Sequence, residues 1–250
     1  MTQRGLSQAA DANELLEKNR RFYDSLWSGA TLVEPQRFNT WPLVSSLLPN
    51  ADRRLEVGPG LRPRLPIEGT HFVDISDPAL SVLRERGGQA LRGEVTSLPF
   101  ADGAFDLVCA LDIVEHVDDG DGALREVARV ARPGATVLIS TPLHPSYWTA
   151  FDDFVGHKRR YEPASLLEKL ADNHLVVQRS AVFGMKPRSS RLVDLGMWWL
   201  THHPEKAMRT YNRTLMPLAL RFQSELKFAA GMVATEGVDE VLLVCRKAAG

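Results

Sequence analysis

Short apolar runs recur through the middle and the end of the chain, and segments with apolar residues at helical spacing separate them. The clearest helical segments are residues 77–86, which begin with Asp-Pro, and residues 120–131. An alternation of buried strands with helices is typical of a parallel sheet that helices cover on both faces. The pattern therefore predicts a doubly wound α/β domain. The apolar runs lie at residues 54–57, 70–75, 105–111, 135–141, 175–183 and 240–244.

Two segments fall outside this alternation. Residues from about 13 to 48 have apolar residues at helical spacing, interrupted by prolines, which predicts N-terminal helices. Residues 185–232 contain several aromatic side chains and carry eight basic against three acidic residues. We interpret them as a helical insertion before the last strand, either a packed helical pair or a lid over the ligand edge of the sheet. The expected parts of this single domain are N-terminal helices (1–50), a core (51–184), the insertion (185–235) and the last strand with its tail (236–250).

The composition is that of an ordinary globular protein. Of 250 residues, 44% are hydrophobic and 24% are charged, which excludes collagen-like, disordered and disulfide-scaffold proteins. A formal net charge of −1 argues against a dedicated nucleic-acid-binding protein, whose surface is normally strongly basic. We find no signal peptide and no run that approaches the ~20 apolar residues of a membrane-spanning helix, so we expect a cytoplasmic protein. Cys109 and Cys245 lie within apolar runs and are expected to be buried.

The first apolar run leads into a glycine-rich turn. Glu56 lies near the end of the run, and Gly58 and Gly60 follow, where the absence of a Cβ lets a ligand approach the backbone closely. Parallel sheets bind their ligands at the carboxyl ends of the strands. A carboxylate there would repel the pyrophosphate of a dinucleotide, and the third glycine of the dinucleotide fingerprint is missing, so both features oppose a nicotinamide-dependent oxidoreductase. The turn favours a cationic ligand with an ammonium and a sulfonium.

Two further acids follow this turn. Asp74 ends the second apolar run, where a carboxylate can accept hydrogen bonds from both hydroxyls of a ribose; the alternative is a simple cap of the strand end. Glu94, shortly before Leu98, can accept a hydrogen bond from the exocyclic amine of an adenine. These acids indicate an adenosine-containing ligand but do not specify a reaction.

Four segments together carry a family resemblance, namely LEVGPG, HFVDIS, GEVTSLPFADGAFDLVCALDIVEHVDD and ALREVARVARPGATVLISTP. In this order and with these gaps, over residues 54–142, they resemble the class I S-adenosylmethionine-dependent methyltransferases, in particular a branch that acts on small molecules. The resemblance implies a Rossmann-like sheet of seven strands with a reversed last hairpin, including a strand at residues 89–92. It also implies S-adenosyl-L-methionine as the cofactor and S-adenosyl-L-homocysteine as its product.

The resemblance assigns eight residues to the cofactor. Its methionine part would be held by Glu56, Gly58 and Gly60. Its ribose and adenine would be contacted by Asp74, Ile75, Glu94 and Val95. The eighth residue, Asp112, would lie beside the cofactor at the end of the fourth strand.

The chain departs from the family's pattern at two points. Residues 61–69 are too short and too rich in proline for the helix that the family usually has there. The carboxylate of the cofactor then loses part of a helix N-terminus, and we expect Arg62 or Arg64 to bind it instead. Glu94 also replaces the more usual aspartate.

Three histidines are candidates for acid–base chemistry. Methyl transfer from a sulfonium is an in-line displacement that depends mainly on positioning, and a base is needed only if the acceptor must lose a proton. His116, His144 and His157 lie near or just beyond predicted carboxyl ends of strands. Each of them is either a base for the acceptor or a structural hydrogen-bonding group.

The charged segment 152–161 is a candidate for substrate binding. Arg159, Arg160 and Tyr161 would close over the acceptor, with an arginine binding a carboxylate or phosphate. Alternatively, they join the following helix to the sheet. We assign Trp198 of the insertion to the same site, although the run of apolar residues around it also suits an interface, so a monomer and a homodimer both stay open.

We expect no metal. A site could be drawn from His144, Asp152, Asp153 and His157, but their spacing is not that of a compact cage, and displacement at a methyl group needs no Lewis acid.

The sequence therefore predicts a methyltransferase that acts on oxygen or nitrogen of a small molecule, anionic or aromatic in character, and not on nucleic acid. Three alternatives stay open. These are a module of the same fold that binds without catalysis, a methyltransferase for a lipid-linked or macromolecular substrate, and, for the basic insertion, peripheral contact with an anionic membrane.

Overall fold

In the computed structural model, the structure describes Trp27, residues 30–184, residues 196, 198 and 199, and residues 202–249. Within these residues, eight strands form one mixed sheet in the order β3-β2-β1-β4-β5-β8-β6-β7. The strands are β1 (Arg54–Val57), β2 (Thr70–Asp74), β3 (Gln89–Arg92), β4 (Phe105–Leu111), β5 (Ala131–Pro142), β6 (Leu175–Phe183), β7 (Ala229–Ala230) and β8 (Glu240–Lys247).

The first five strands are parallel, and β8 runs antiparallel to both β5 and β6. This arrangement confirms the predicted doubly wound sheet with a reversed last hairpin. The eighth strand is β7, a two-residue addition at the edge beside β6. Since β1 pairs with both β2 and β4, the strand order reverses between β1 and β4, and the crevice at their carboxyl ends is where such sheets bind ligands.

Helices cover the sheet and continue into the insertion. One turn of π-helix, Tyr211–Leu215, joins the last two helices into a continuous helical segment. The α-helices are α1 (Trp41–Leu47), α2 (Asp77–Glu85), α3 (Gly120–Val130), α4 (Ala150–Val155), α5 (Pro163–Asp172), α6 (Pro204–Thr210) and α7 (Met216–Ala219).

The core forms on both faces because successive strand side chains point to opposite sides. On one face, Val108 and Ile139 belong to a large buried cluster with residues of α3 and α5. On the other face, Leu107 and Leu138, their neighbours in sequence, pack with residues of α1. Both cysteines are buried and unpaired, as expected, and no described helix is long and apolar enough to cross a membrane.

The described part of the N-terminal segment is helical only in places. Trp27 and α1 are helical, whereas residues 30–34 have no regular structure and the three-residue 3₁₀ turn Pro35–Arg37 follows them. Prolines explain the interruption, because Pro35 and Pro42 suit only the first turn of a helix. Residues 1–26 and 185–195, which hold the other predicted helical positions, lie outside the described residues.

The core packing predicts that truncating a buried strand side chain lowers the free energy of unfolding more than truncating an exposed one. Leu243→Ala removes a fully buried side chain from β8 and is expected to lower the free energy of unfolding by about 2–5 kcal/mol. Val176→Ala on β6, where the side chain is 51% exposed, is the control and should cost less than about 1 kcal/mol. Urea denaturation followed by circular dichroism measures both. Equal losses would contradict the packing.

Candidate active site

The glycine turn after β1 is bound to the end of β2. Gly58 and Gly60 have φ angles of 66° and 53°, a left-handed conformation that favours glycine. The backbone N–H of Gly60 donates to Asp74 Oδ2 at 2.9 Å, and the N–H of Ser76 donates to Asp74 Oδ1 at 2.8 Å. These bonds fix the turn next to the carboxylate that we predicted to bind a ribose.

Glu56 holds the loop that replaces the expected helix. Residues 61–69 contain no helix, as the prolines predicted. The N–H groups of Arg64 and Leu65 donate to the Glu56 carboxylate at 2.8 and 2.9 Å. Burial raises the pKa of Glu56 from 4.5 to about 7, although these donors act in the opposite direction. Glu56 is therefore a structural anchor of the loop as well as a predicted cofactor ligand.

Side chains lie close over both glycines. A Cβ on Gly58 would come within 2.1 Å of Ile113, and a Cβ on Gly60 would come within 2.2 Å of the Trp27 ring. Arg62 lies over the same Trp27 ring, at 5.1 Å from its centroid. Backbone without Cβ atoms is thus required at the turn, because Ile113 and Trp27 fill the space that Cβ atoms would occupy.

Arg62 and Arg64, the two predicted ligands for the carboxylate of the cofactor, differ in their contacts. Arg62 donates to Asn212 Oδ1 at 3.0 Å and lies over the ring of Tyr211, so it binds the helical insertion to the loop. Arg64 lies over the ring of Phe38, 3.7 Å from its centroid, and within the described part of the chain its guanidinium has no hydrogen bond or ion pair. Of the two, Arg64 is therefore the cation left for a ligand.

Arg64 lines a cavity of about 80 Å³ at the carboxyl edge of the sheet. Two carboxyl groups also line this cavity, that of Asp112, just after β4, and that of Glu240, the first residue of β8. The other lining residues are Asn39, Phe183, Gly184 and Gln223.

Asp112 and Glu240 form a pair of acids in this cavity. Asp112 has a φ of 55°, and its N–H and one carboxylate oxygen both bond the hydroxyl of Ser140 on β5. Burial, and then the nearness of Asp112, raise the pKa of Glu240 well above its ordinary value. Two carboxyl groups this close do not both ionise readily, which adds to the effect of burial on Glu240.

Glu240 was absent from our sequence predictions. We searched the carboxyl ends of the strands, but β8 is antiparallel, so its first residue lies at the ligand edge, opposite Pro142 on one side and Phe183 on the other. The available signal was an acid at the start of the last apolar run, in the strand that the family resemblance had already implied to be reversed.

The predicted adenosine-binding residues lie beyond the glycine turn. Asp74 is buried at the end of β2, and Ile75 follows it half-buried. Val95 is buried, whereas Glu94 is exposed, its backbone forming a short turn with Ser97. The structure thus brings an acid, an apolar side chain and the glycine turn to one edge, and the adenine contact of Glu94 stays a prediction.

Two of the three candidate histidines lie together. The rings of His116 and His157 are 4.6 Å apart, and His157 Nδ1 is 2.9 Å from Asp152. Burial lowers the pKa of both, to about 3 for His116, so both are neutral near pH 7. The ring of His144 instead bonds the backbone oxygen of Thr235 at 2.8 Å, which is a structural contact.

The predicted substrate-binding residues have structural contacts. Arg160 is 6% exposed and pairs with Asp152 and Asp239. It also donates to the backbone oxygen of Leu143, just after β5. Arg159 donates to the backbone oxygen of Val117, and Tyr161 is buried. These contacts match the alternative in which the segment joins the helix to the sheet. Trp198 is 53% exposed and stacks on His202, outside the cavity.

A larger cavity of about 440 Å³ lies at the opposite edge of the sheet. Its lining includes Asp106, Arg132 and Arg246, at the amino ends of β4 and β5 and the carboxyl end of the reversed β8. None of the predicted site residues lines it, and ligands of doubly wound sheets bind at the other edge.

Comparison with known proteins agrees with this geometry. Residues 61–139 match the family of the methyltransferase domain. The norajmaline N-methyltransferase of Rauvolfia serpentina is 33% identical over 81 residues, which are 32% of this chain and 26% of that protein. The chain thus spans about a quarter of the length of that relative.

Solved structures are similar over nearly the whole chain. The geranyl diphosphate C-methyltransferase of Streptomyces coelicolor, in complex with Mg²⁺, geranyl diphosphate and S-adenosyl-L-homocysteine, has a TM-score of 0.58 at 14% identity, covering 93% of this chain and 97% of that one. A SAM-dependent methyltransferase of Thermotoga maritima has a TM-score of 0.56 at 16% identity, covering 92% and 94%. At these identities the likeness shows a shared fold.

The raised pKa of Glu56 predicts a pH dependence that Glu56→Gln removes. Because that pKa rises from 4.5 to about 7 on folding, the folded state holds a proton that the unfolded state releases. From about pH 5 to about pH 8, the wild type should lose about 2–3 kcal/mol of unfolding free energy relative to the variant, whose side chain does not ionise. Urea titrations of both proteins at the two pH values measure this difference. A constant difference would show that Glu56 is already ionised at the lower pH.

Proposed function

We propose that this chain, which contains a methyltransferase domain of the class I fold, binds S-adenosyl-L-methionine and moves a methyl group to oxygen or nitrogen of a small molecule. The observation that carries the proposal is the grouping of Glu56, Asp74 and Asp112 around the glycine turn at the strand-order reversal. A dinucleotide would place its pyrophosphate among these carboxylates, which is electrostatically unfavourable.

The described residues suit the parts of such a cofactor. Asp74 lies where it can accept hydrogen bonds from ribose hydroxyls, and buried Val95 offers an apolar surface for a purine. Gly58 and Gly60 adopt the left-handed backbone that shapes the turn, and Arg64 supplies a positive charge for a carboxylate. When bound, S-adenosyl-L-methionine supplies an electrophilic methyl group on a sulfonium.

The acid pair favours an amine as the acceptor. A protonated amine must lose a proton before it can attack, and a carboxyl group with a raised pKa is a suitable base near neutral pH. Asp112 and Glu240 line the cavity, whereas no described histidine does. The pair can hold the ammonium of an acceptor and take its proton on the member that is ionised, so we assign the general base to the Asp112–Glu240 pair in place of the three histidines.

A lipid-linked acceptor is a second candidate, supported by the surface of the insertion. Leu215, Leu218 and Phe222 are 47%, 50% and 78% exposed; Leu215 and Leu218 belong to the helical segment, and Phe222 lies just after its end at Ala219. Arg213 and Arg221 are exposed beside them, as in helices that bind anionic membranes. Transfer to an extracted lipid fraction, but to no soluble acceptor, would favour this candidate.

The ribose contact gives the first test of the proposal. Asp74→Asn is expected to weaken binding of S-adenosyl-L-homocysteine by roughly 10–100-fold, because two hydrogen bonds to a charged acceptor are weakened. Asp77→Asn, which changes an exposed acid three residues later, should leave the affinity unchanged. Calorimetric titration measures both variants, with circular dichroism to verify their folding. Wild-type affinity in a folded Asp74→Asn protein would remove Asp74 from the cofactor site.

The acid pair gives the second test. Glu240→Gln should lower turnover with amine acceptors by roughly 100-fold or more while S-adenosyl-L-homocysteine still binds, since a general base typically contributes this much. Glu236→Gln is the control, because Glu236 is exposed and lies outside the cavity. Release of S-adenosyl-L-homocysteine across a panel of amines and phenols measures turnover. Full activity of Glu240→Gln on every acceptor would exclude this residue as the base.

A further inference from the structure

The orientation of His157 leaves a lone pair directed into a buried cluster. Its Nδ1 is 2.9 Å from Oδ1 of Asp152, a carboxylate that also pairs with Arg160, so Nδ1 donates its proton to Asp152. A neutral imidazole has only one N–H, and Nε2 therefore carries the lone pair. This nitrogen lies 4.0 Å from Oε1 of Glu115.

Glu115 has an oxygen that the described residues leave unsatisfied. The residue is fully buried, and its Oε1 accepts no hydrogen bond. The other oxygen has only a long contact of 3.5 Å with the hydroxyl of Thr141. Arg160, a nearby cation, is bonded to Asp152 and Asp239 instead. A buried carboxyl oxygen without a hydrogen-bond partner is costly, and this oxygen lies beside Nε2 of His157.

His116 completes the cluster. Backbone hydrogen bonds with Val155 and Gly156 orient its ring. One ligand-type atom from each of Glu115, His116 and His157 lies within 4.8 Å of the other two. In a tetrahedral zinc site, neighbouring ligand atoms are roughly 3.3 Å apart, so inward shifts of about 1 Å would bring the three groups into coordination.

We propose that Glu115, His116 and His157 form a binding site for a divalent transition metal of the zinc type. Two imidazoles and one carboxylate are a common donor set for such ions, and three protein ligands leave a fourth position for water or another ligand. The contact of Asp152 with His157 is the orienting carboxylate that usually accompanies a metal-bound histidine. The expectation of no metal from the sequence considered His144, Asp152, Asp153 and His157. Of these four, only His157 belongs to the present cluster, because the fold directs the ring of His144 to Thr235.

Such an ion would connect two chain segments that lie beyond the carboxyl edge of the sheet. Glu115 and His116 lie just after β4, and His157 follows α4. The backbone N–H of Lys158 already donates to the oxygen of Glu115 at 2.7 Å, so the segments are adjacent without metal. The proposed ligands are not among the residues assigned to the cofactor, although Asp112 is close enough to influence Glu115 and His157, and the proposal does not depend on the proposed function.

Cobalt(II) gives a direct test, because its absorption bands report tetrahedral coordination by nitrogen and oxygen. The purified full chain, stripped with a chelator, is titrated with Co²⁺ and then with Zn²⁺ in competition. We expect one ion per chain and visible absorption that Zn²⁺ abolishes. Glu115→Gln and His157→Gln should each weaken binding by more than the roughly 10–100-fold that the loss of an orienting partner costs.

Two controls distinguish binding at these three residues from binding at surface histidines and from a loss of folding. His202→Ala with His203→Ala removes an exposed histidine pair and should leave Co²⁺ binding unchanged. Glu115→Gln resembles the protonated acid, so it should fold without metal as the wild type does, which circular dichroism verifies. Failure of the wild type to bind at about 100 μM metal, or equal binding by wild type and Glu115→Gln, would overturn the proposal.

Discussion

Several carboxyl groups are buried at one edge of the sheet, and their need for hydrogen-bond donors or cations determines how the neighbouring loops and side chains are arranged. An ionised carboxylate loses a large solvation energy on burial unless donors or cations replace the water. The chain meets this requirement differently for each acid. Backbone N–H groups donate hydrogen bonds to Glu56 and Asp74. Asp112 lies beside Glu240, and burial together with this neighbour raises the pKa of Glu240. Arg160 and His157 pair with Asp152, whereas Glu115 retains an oxygen without a donor.

The solution at Glu56 explains why the chain does without the helix that its relatives are expected to have after the glycine turn. Prolines prevent that helix, but they leave the N–H groups of Arg64 and Leu65 free to turn back to the carboxylate. The same loop then presents Arg64 to the cavity and fastens Arg62 to the insertion. The loop thus places a positive charge, that of Arg64, in the cavity at the carboxyl edge of the sheet.

The sequence predicted the strands and α3 well because buried parallel strands and an amphipathic helix have strong periodic signals. It also predicted the glycine turn and Asp74, which depend on local geometry at a strand end. For Arg160 and Tyr161 it left two interpretations open, substrate binding and a link between helix and sheet. A charged segment looks the same in sequence whether its groups face a ligand or, as here, pair with Asp152 and the backbone. Glu240 was missed because its position depends on the direction of β8, and Glu115 because its partner is 42 residues away in the chain.

The central claim is that the reversal point of the sheet binds an adenosyl ligand, and a crystal structure with S-adenosyl-L-homocysteine tests it most directly. The account predicts the ribose on Asp74, the purine against Val95 and the amino-acid part beside the glycine turn. A ligand bound in the cavity beside Arg132 and Arg246, or a dinucleotide whose pyrophosphate lies on Gly58 and Gly60, would contradict it.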